Sequence, residues 1–251
     1  MTCTEVYMLG TGSALHPARA QSSILVDTGY AILLVDAGCS SLNNLLRTGR
    51  RLEDLDAVAV THAHYDHICG LGLLSFITQF RGRQPPIVVA PRGSLRIVEE
   101  ALALGARSSA KPSSTMPEVR PIAPGEVLSL EGGLKIRALA AEHTVEALGF
   151  EVSHRTSGSI VVSGDTRPAP QISEAASRAA LTIHEATLPS GMEGEAHASG
   201  HSTVAQALEI ASLSELGALY HLTPLSEAEA VERARGSRVL VPQDLGAVKI
   251  C

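Results

Sequence analysis

Thr61-His62-Ala63-His64-Tyr65-Asp66-His67 sets three imidazoles and a carboxylate within six positions. The apolar run before it, residues 55–60, predicts a buried strand, and Gly70-Leu71-Gly72-Leu73-Leu74 after it predicts the start of a helix. A loop between a strand and a helix can turn all four side chains into one cavity. Residues two apart in extended backbone point the same way, so His62 and His64 can share one ion. Asp66 and His67, where the chain turns into the helix, point elsewhere and can hold a second. Imidazole and carboxylate suit zinc, manganese or iron. A loop this dense in His and Asp has no packing advantage, which sets the ligand reading above chance.

Outward from that loop, strands and helices alternate. On the N-terminal side, residues 6–9 predict a strand ending in Gly10-Thr11-Gly12-Ser13-Ala14, either a plain turn or a backbone cradle for phosphate. Residues 23–26 and 31–35 predict a hairpin closed at Asp27-Thr28-Gly29 and followed by Asp36-Ala37-Gly38. A short helix is expected over 42–46. On the C-terminal side, helices are expected over 72–80 and 94–104, with a strand at 87–90 and a Ser-, Ala- and Pro-rich loop over 106–117. Strands then follow at 127–130, 134–140, 149–152 and 160–163. After them come a helix at 171–180, a strand at 181–184, and a helix at 203–213 with Ser202 as N-cap. A strand at 218–222, a helix at 226–234 and strands at 239–242 and 248–250 complete the pattern. It divides into two similar halves near Pro124 within a single domain spanning residues 1–251.

Three further residues stand at the ends of predicted strands: His143, Asp165 and His221. A His at a strand end is ordinarily a surface residue. Three such positions behind the His-rich loop reverse that reading.

Composition limits the alternatives. Of 251 residues, 45% are hydrophobic, enough for a large core, but only 3% are aromatic and Trp is absent, so Leu, Ile, Val and Ala must fill it. The net charge of −6 and the confinement of lysine to Lys111, Lys135 and Lys249 argue against a protein built to hold nucleic acid, DNA included. Cys3, Cys39, Cys69 and Cys251 lack CxxC spacing and predict buried or surface thiols. The N-terminus reads as no signal peptide and no apolar run reaches the ~20 residues of a membrane span, so a cytoplasmic protein without a membrane partner is expected.

The pattern His-x-His-x-Asp-His resembles the metallo-β-lactamase superfamily of binuclear metallohydrolases, and the resemblance runs over nearly the whole chain. It implies an α/β fold: a four-layer αββα sandwich with metals along one edge. It also implies that His62, His64 and His143 hold one metal, that Asp66, His67 and His221 hold the other, and that Asp165 bridges them. Asp36 would support the loop without touching metal. The cofactors implied are two divalent cations: zinc first, with manganese or iron as alternatives.

Gly10-Thr11-Gly12-Ser13-Ala14, Gly149-Phe150, His184-Glu185-Ala186-Thr187 and His201-Ser202-Thr203 resemble the ribonuclease Z-like branch of that superfamily, which contains phosphodiesterases. The similarity implies His201 as proton donor, oriented by Glu185, so that Asp66, Glu185 and His201 form the catalytic set. Two cations sharing a water generate hydroxide near neutral pH and neutralise a phosphate oxygen. A helix N-terminus disfavours imidazolium, so His201 needs Glu185 to stay protonated. His16, His154 and His197 match no motif and are expected at the surface.

The chain departs from the tRNA-processing members of the branch. Those carry a long arm between the strands that precede the Asp165 position, where only the short turn over 154–159 is found here. After His221 the chain reads Leu222-Thr223-Pro224-Leu225 rather than a Ser-x-Arg-like signature, and the cysteine-rich zinc site of a cyclic phosphodiesterase type is missing. The expectation is a metal-dependent phosphodiesterase acting on a small diester in preference to RNA. A tRNA 3′-processing nuclease using Arg81 and Arg83, a lactonase or phosphotriesterase, and a non-catalytic metal scaffold are the alternatives. Homodimers are common in the branch, although no interface signature is visible.

Overall fold

The computed structural model describes residues 3–78, 84–109, 116–155 and 157–251; Arg81, Arg83 and Lys111 lie outside them. The first half comprises β1 (Thr4–Gly10), β2 (Ser23–Asp27), β3 (Ile32–Val35), α1 (Ser41–Arg47), β4 (Ala57–Ala59), α2 (Tyr65–Ile68), α3 (Gly70–Thr78), β5 (Ile87–Ala90), α4 (Leu95–Arg107) and β6 (Val119–Pro121). The second comprises β7 (Val127–Ser129), β8 (Lys135–Ala140), β9 (Leu148–His154), β10 (Ser157–Val162), α5 (Pro170–Ala176), β11 (Leu181–Glu185), α6 (Glu193–Ser199), α7 (Val204–Ala211), β12 (Leu216–Tyr220), α8 (Glu227–Ala234), β13 (Val239–Leu240) and β14 (Gly246–Ile250). Two seven-stranded sheets result, in the orders β14-β1-β2-β3-β4-β5-β6 and β13-β12-β11-β10-β9-β8-β7.

Strand alternation sorts the apolar side chains into layers. Val6, Met8, Val26, Leu33 and Val35 point inward against Ile136, Phe150, Val152, Val162 and Ile183 of the facing sheet. The intervening Leu9, Leu25, Leu34 and Val58 point outward and pack under Leu42 and Leu45 of α1, Leu71 and Leu74 of α3, and Val98 and Leu102 of α4. The second sheet is covered likewise: Val161 lies under α5, and Leu219 under α7 and α8. The arrangement is the αββα sandwich that the sequence implied. α3 and α4 cross closely, because a Cβ on Gly105 would stand 1.8 Å from the Gly72 carbonyl oxygen.

Four features differ from the sequence reading. α6 was not expected: Glu-Gly-Glu-Ala-His-Ala-Ser offers no apolar stripe, and only Ala196 in it is buried. β6 was not expected because it holds Pro121, which a strand tolerates at a sheet edge. The N-cap of α7 is Thr203, not Ser202; its hydroxyl accepts from the Gln206 amide in a capping box. The cysteines are not free thiols but two disulfides, Cys3–Cys251 and Cys39–Cys69. The first joins positions 248 apart in sequence, just beyond the paired β1 and β14, so spacing alone could not reveal it.

β3–β6 and β10–β13 run parallel within their sheets, and the loops leaving β3, β4, β8, β10, β11 and β12 gather at one edge. Open α/β sheets bind ligands beyond the carboxyl ends of their strands, and this edge carries the site. The Leu148 amide donates to the Thr61 carbonyl at 2.9 Å, and Leu222 to Thr11 at 3.0 Å, so the sheets are tied together there.

Candidate metal centre and acid pair

All seven residues expected as ligands meet at this edge. The loop from β4 into α2 supplies His62, His64, Asp66 and His67; the turns after β8, β10 and β12 supply His143, Asp165 and His221. His62 Nε2 and His143 Nε2 stand 3.0 and 3.1 Å from His64 Nδ1. On the other side, Asp66 Oδ2 lies 3.7 Å from His67 Nε2 and 3.6 Å from His221 Nε2. Asp165 Oδ2 is central, 3.7 Å from His62 Nε2, 3.3 Å from His67 Nε2 and 3.4 Å from His221 Nε2.

The protein fixes which nitrogen of each ring faces inward. His62 Nδ1 meets the Thr61 hydroxyl at 3.0 Å, and that hydroxyl donates to Asp36. His67 Nδ1 donates to Asp36 Oδ2 at 2.8 Å, His143 Nδ1 to the Gly200 carbonyl at 2.7 Å, and His221 Nδ1 to the Thr187 hydroxyl at 2.9 Å. The Nε2 atoms of these four rings are thereby aimed at one space. Asp36 sits under the loop as expected, and its φ of +57° and the φ of +53° at His221 are conformations that non-glycine residues hold only when neighbours enforce them.

This donor set fits divalent cations. Burial lowers the pKa of His62, with the charges of neighbouring histidines adding to it, and burial likewise lowers His64 and His143, so the neutral, donor-competent form of these three rings is favoured. Their separations are close to the ~3.3 Å between donors of a tetrahedral zinc site. The same three nitrogens are close enough to share a proton on His64 Nδ1 when no cation lies between them. His67 Nε2, His221 Nε2 and Asp165 Oδ1 are buried with no hydrogen-bond partner, a costly arrangement that a cation relieves. Burial opposes charge on Asp165, but His221 and His67 outweigh it and hold the carboxyl well below its usual range.

The acid pair borders this centre. Glu185, fully buried at the end of β11, takes His201 Nδ1 at 2.9 Å, the Ser202 amide at 3.0 Å and the Thr166 amide at 3.1 Å on Oε1. Its Oε2 takes the Thr187 amide at 3.0 Å and hydroxyl at 2.7 Å. Burial would lower the His201 pKa, but the Glu185 charge and hydrogen bond outweigh it and raise it to about 9. With Nδ1 engaged, His201 presents Nε2 to a cleft of about 390 Å³. Asp66, Asp165 and His221 line the same cleft, facing a wall of Ser13, Ala14 and Leu15.

Three amides of the turn over residues 10–14 have no capacity left for a phosphate. The amides of Thr11, Gly12 and Ser13 are spent on Asp244, Ala20 and Leu222. Of the histidines outside the motifs, only His197 is exposed. His16 has a side chain 2% exposed against Glu227, and the buried His154 bonds the Gly132 carbonyl and stacks on Tyr30. Both are structural groups rather than surface residues. Sequence reasoning missed Thr61, Gly200 and Thr187 as orienting groups; the two threonines stood inside quoted motifs, whereas Gly200 acts through its carbonyl and carries no side-chain signal.

Comparison with known proteins shows relatives in sequence and in fold. The sequence model of the family described as Anti-Pycsar protein Apyc1 matches residues 4–241. A ribonuclease Z of Mycobacterium sp. (strain KMS) is 30% identical, over 93% of this chain and 90% of its own. Two solved structures share the fold: the metallo-beta-lactamase fold protein YhfI from Bacillus subtilis (TM-score 0.82, 21% identity, 99% of this chain and 100% of that one) and human tRNase Z, short form (TM-score 0.81, 21% identity, 98% and 99%).

Proposed function

The chain belongs to the Anti-Pycsar protein Apyc1 family, within the ribonuclease Z-like branch of the metallo-β-lactamase superfamily, and is a metal-dependent hydrolase; from that premise we propose that it cleaves small phosphodiesters at a two-cation centre with His201 as proton donor. The observation that carries the reading is the buried Glu185–His201 pair set beside the ligand cluster, with His201 Nδ1 3.9 Å from Asp165. Phosphodiester cleavage must protonate an alkoxide leaving group, and this pair supplies that proton.

His62, His64 and His143 would hold one cation, Asp66, His67 and His221 the other, with Asp165 between. The imidazole-rich set favours zinc over manganese or iron. When bound, such cations activate water and neutralise phosphate charge. The protein's own residues do the rest. His201 Nε2–H donates to the leaving oxygen, and Glu185, clamped by five hydrogen bonds, keeps that ring protonated and oriented. The Ser13–Leu15 wall limits the cleft to a small substrate.

No Lys or Arg lines the cleft among the described residues, and β9 ends at His154 with β10 beginning at Ser157, leaving no arm between them. Both features support a compact diester over RNA or DNA. Among the described residues no helix is long and apolar enough to cross a membrane. A second reading, tRNA 3′ processing, draws on the named activity of the mycobacterial relative. Comparing kcat/KM for bis(p-nitrophenyl) phosphate and a 3′-extended precursor tRNA, using zinc-loaded protein, separates the two. Strong turnover of the diester with little tRNA cleavage is expected. Site-specific tRNA cutting of greater efficiency would replace the first reading by the second.

A further inference from the structure

We propose that the Thr187 hydroxyl is a positioning group that couples one side of the metal centre to the acid pair. The inference rests on the two-cation reading above. Thr187 Oγ1 lies 2.7 Å from Glu185 Oε2, 2.9 Å from His221 Nδ1 and 3.2 Å from His201 Nδ1. A hydroxyl has one proton and two lone pairs, and Glu185 is the only carboxylate among these neighbours. The proton therefore goes to Glu185, and His221 Nδ1–H donates into the oxygen. This order turns His221 Nε2 toward Asp66 and Asp165.

The coupling works in both directions. With a cation held at Nε2, the His221 ring would make its Nδ1–H a stronger donor and so polarise the Thr187 hydroxyl toward Glu185. The carboxylate that orients His201 is thereby held at Oε2 by the same hydroxyl that holds the His221 ring. Thr187 is itself fixed, since its carbonyl accepts from the Thr223 hydroxyl at 2.8 Å and it is 8% exposed. Valine matches threonine in shape but offers His221 no acceptor and Glu185 no second donor.

The test is a zinc competition titration of the metal-free protein against a chromophoric chelator, with turnover of a diester bearing a poor, alkyl leaving group measured at saturating zinc. Wild-type protein should take up two equivalents. In T187V, one equivalent should weaken by about tenfold to hundredfold while the other stays within about threefold, the usual scale for losing an outer hydrogen-bond partner of a ligating histidine. kcat for the alkyl diester should fall with it, beyond what added zinc restores. T187S should recover both readouts to within about threefold. Unchanged affinity for both equivalents in T187V, or equal impairment in T187S, overturns the coupling. If T187V fails to fold by circular dichroism, T187A takes its place in the same comparison. Fewer than two equivalents in the wild type would sink the two-cation reading itself, and is distinguishable because it appears before any substitution is made.

Discussion

A proton donor must still hold its proton at the pH of the reaction, and His201 is placed to do so. Its pKa of about 9 reflects burial, which lowers it, overcome by the Glu185 carboxylate, which raises it. The donor form is the imidazolium, so kcat should hold at lower pH and fall as pH rises through about 9. E185Q removes the charge and should move that falling limb to lower pH; a kcat–pH profile on an alkyl diester reads the shift, and an unmoved limb would break the link between the two residues. H201A should keep its metals and lose about 10²–10⁴-fold in turnover of poor leaving groups. The loss should be far smaller with p-nitrophenolate, which departs without a proton. Metal analysis beside kinetics on the two substrate types checks both halves. His201 and Glu185 were legible because each stands in a short motif at a predicted element end. Their partners Thr187 and Thr166 were not, because a threonine's meaning here depends on which ring or carboxylate folding sets beside its hydroxyl or amide.

The elements that carry these residues are short, and the turns between them are exacting. Gly200 has φ of +78°, and a Cβ there would stand 2.7 Å from His143 Nδ1. Its carbonyl accepts from that same nitrogen, and the next residue is His201. G200A should therefore weaken metal binding and turnover together, which zinc titration and kcat measure side by side; loss of one without the other would separate the two roles assigned to this turn. The sequence showed the ligand-bearing strands well, because continuous apolar runs such as Ala57–Ala59 predict buried strands. It showed α6 and β6 poorly, because one lacks an apolar stripe and the other is an edge strand containing proline. The Cys3–Cys251 disulfide ties the ends beyond β1 and β14. Replacing both cysteines by serine should cost about 2–4 kcal/mol, read from denaturant unfolding, while leaving zinc affinity unchanged.

Across the whole molecule, two sheets converge to hold one charged centre in a buried edge. Asp36, Asp66, Asp165 and Glu185 place four carboxylates there beside His62, His64, His67, His143, His201 and His221. Without cations the excess negative charge is met by protons. Burial disfavours a charged His67, but Asp165 and Asp36 raise its pKa well above the ordinary value. Zinc needs that nitrogen free, so loading should release protons at neutral pH, and affinity should fall as pH drops. Calorimetry in buffers of different ionisation enthalpy measures the release. The αββα architecture was readable from the alternation of elements and one loop. The depth of the site was not, since it arises from residues of both halves meeting across the sandwich.

If His62, His64, His143, Asp66, His67 and His221 hold two cations with Asp165 between them, phosphodiester hydrolysis should require both. The most direct measurement is kcat for bis(p-nitrophenyl) phosphate as metal-free protein is titrated with zinc, in wild type and D165A. Activity should rise to saturation at two bound equivalents per chain in the wild type and be largely lost in D165A. Full activity at one equivalent, or D165A turning over like the wild type, would contradict the two-cation reading.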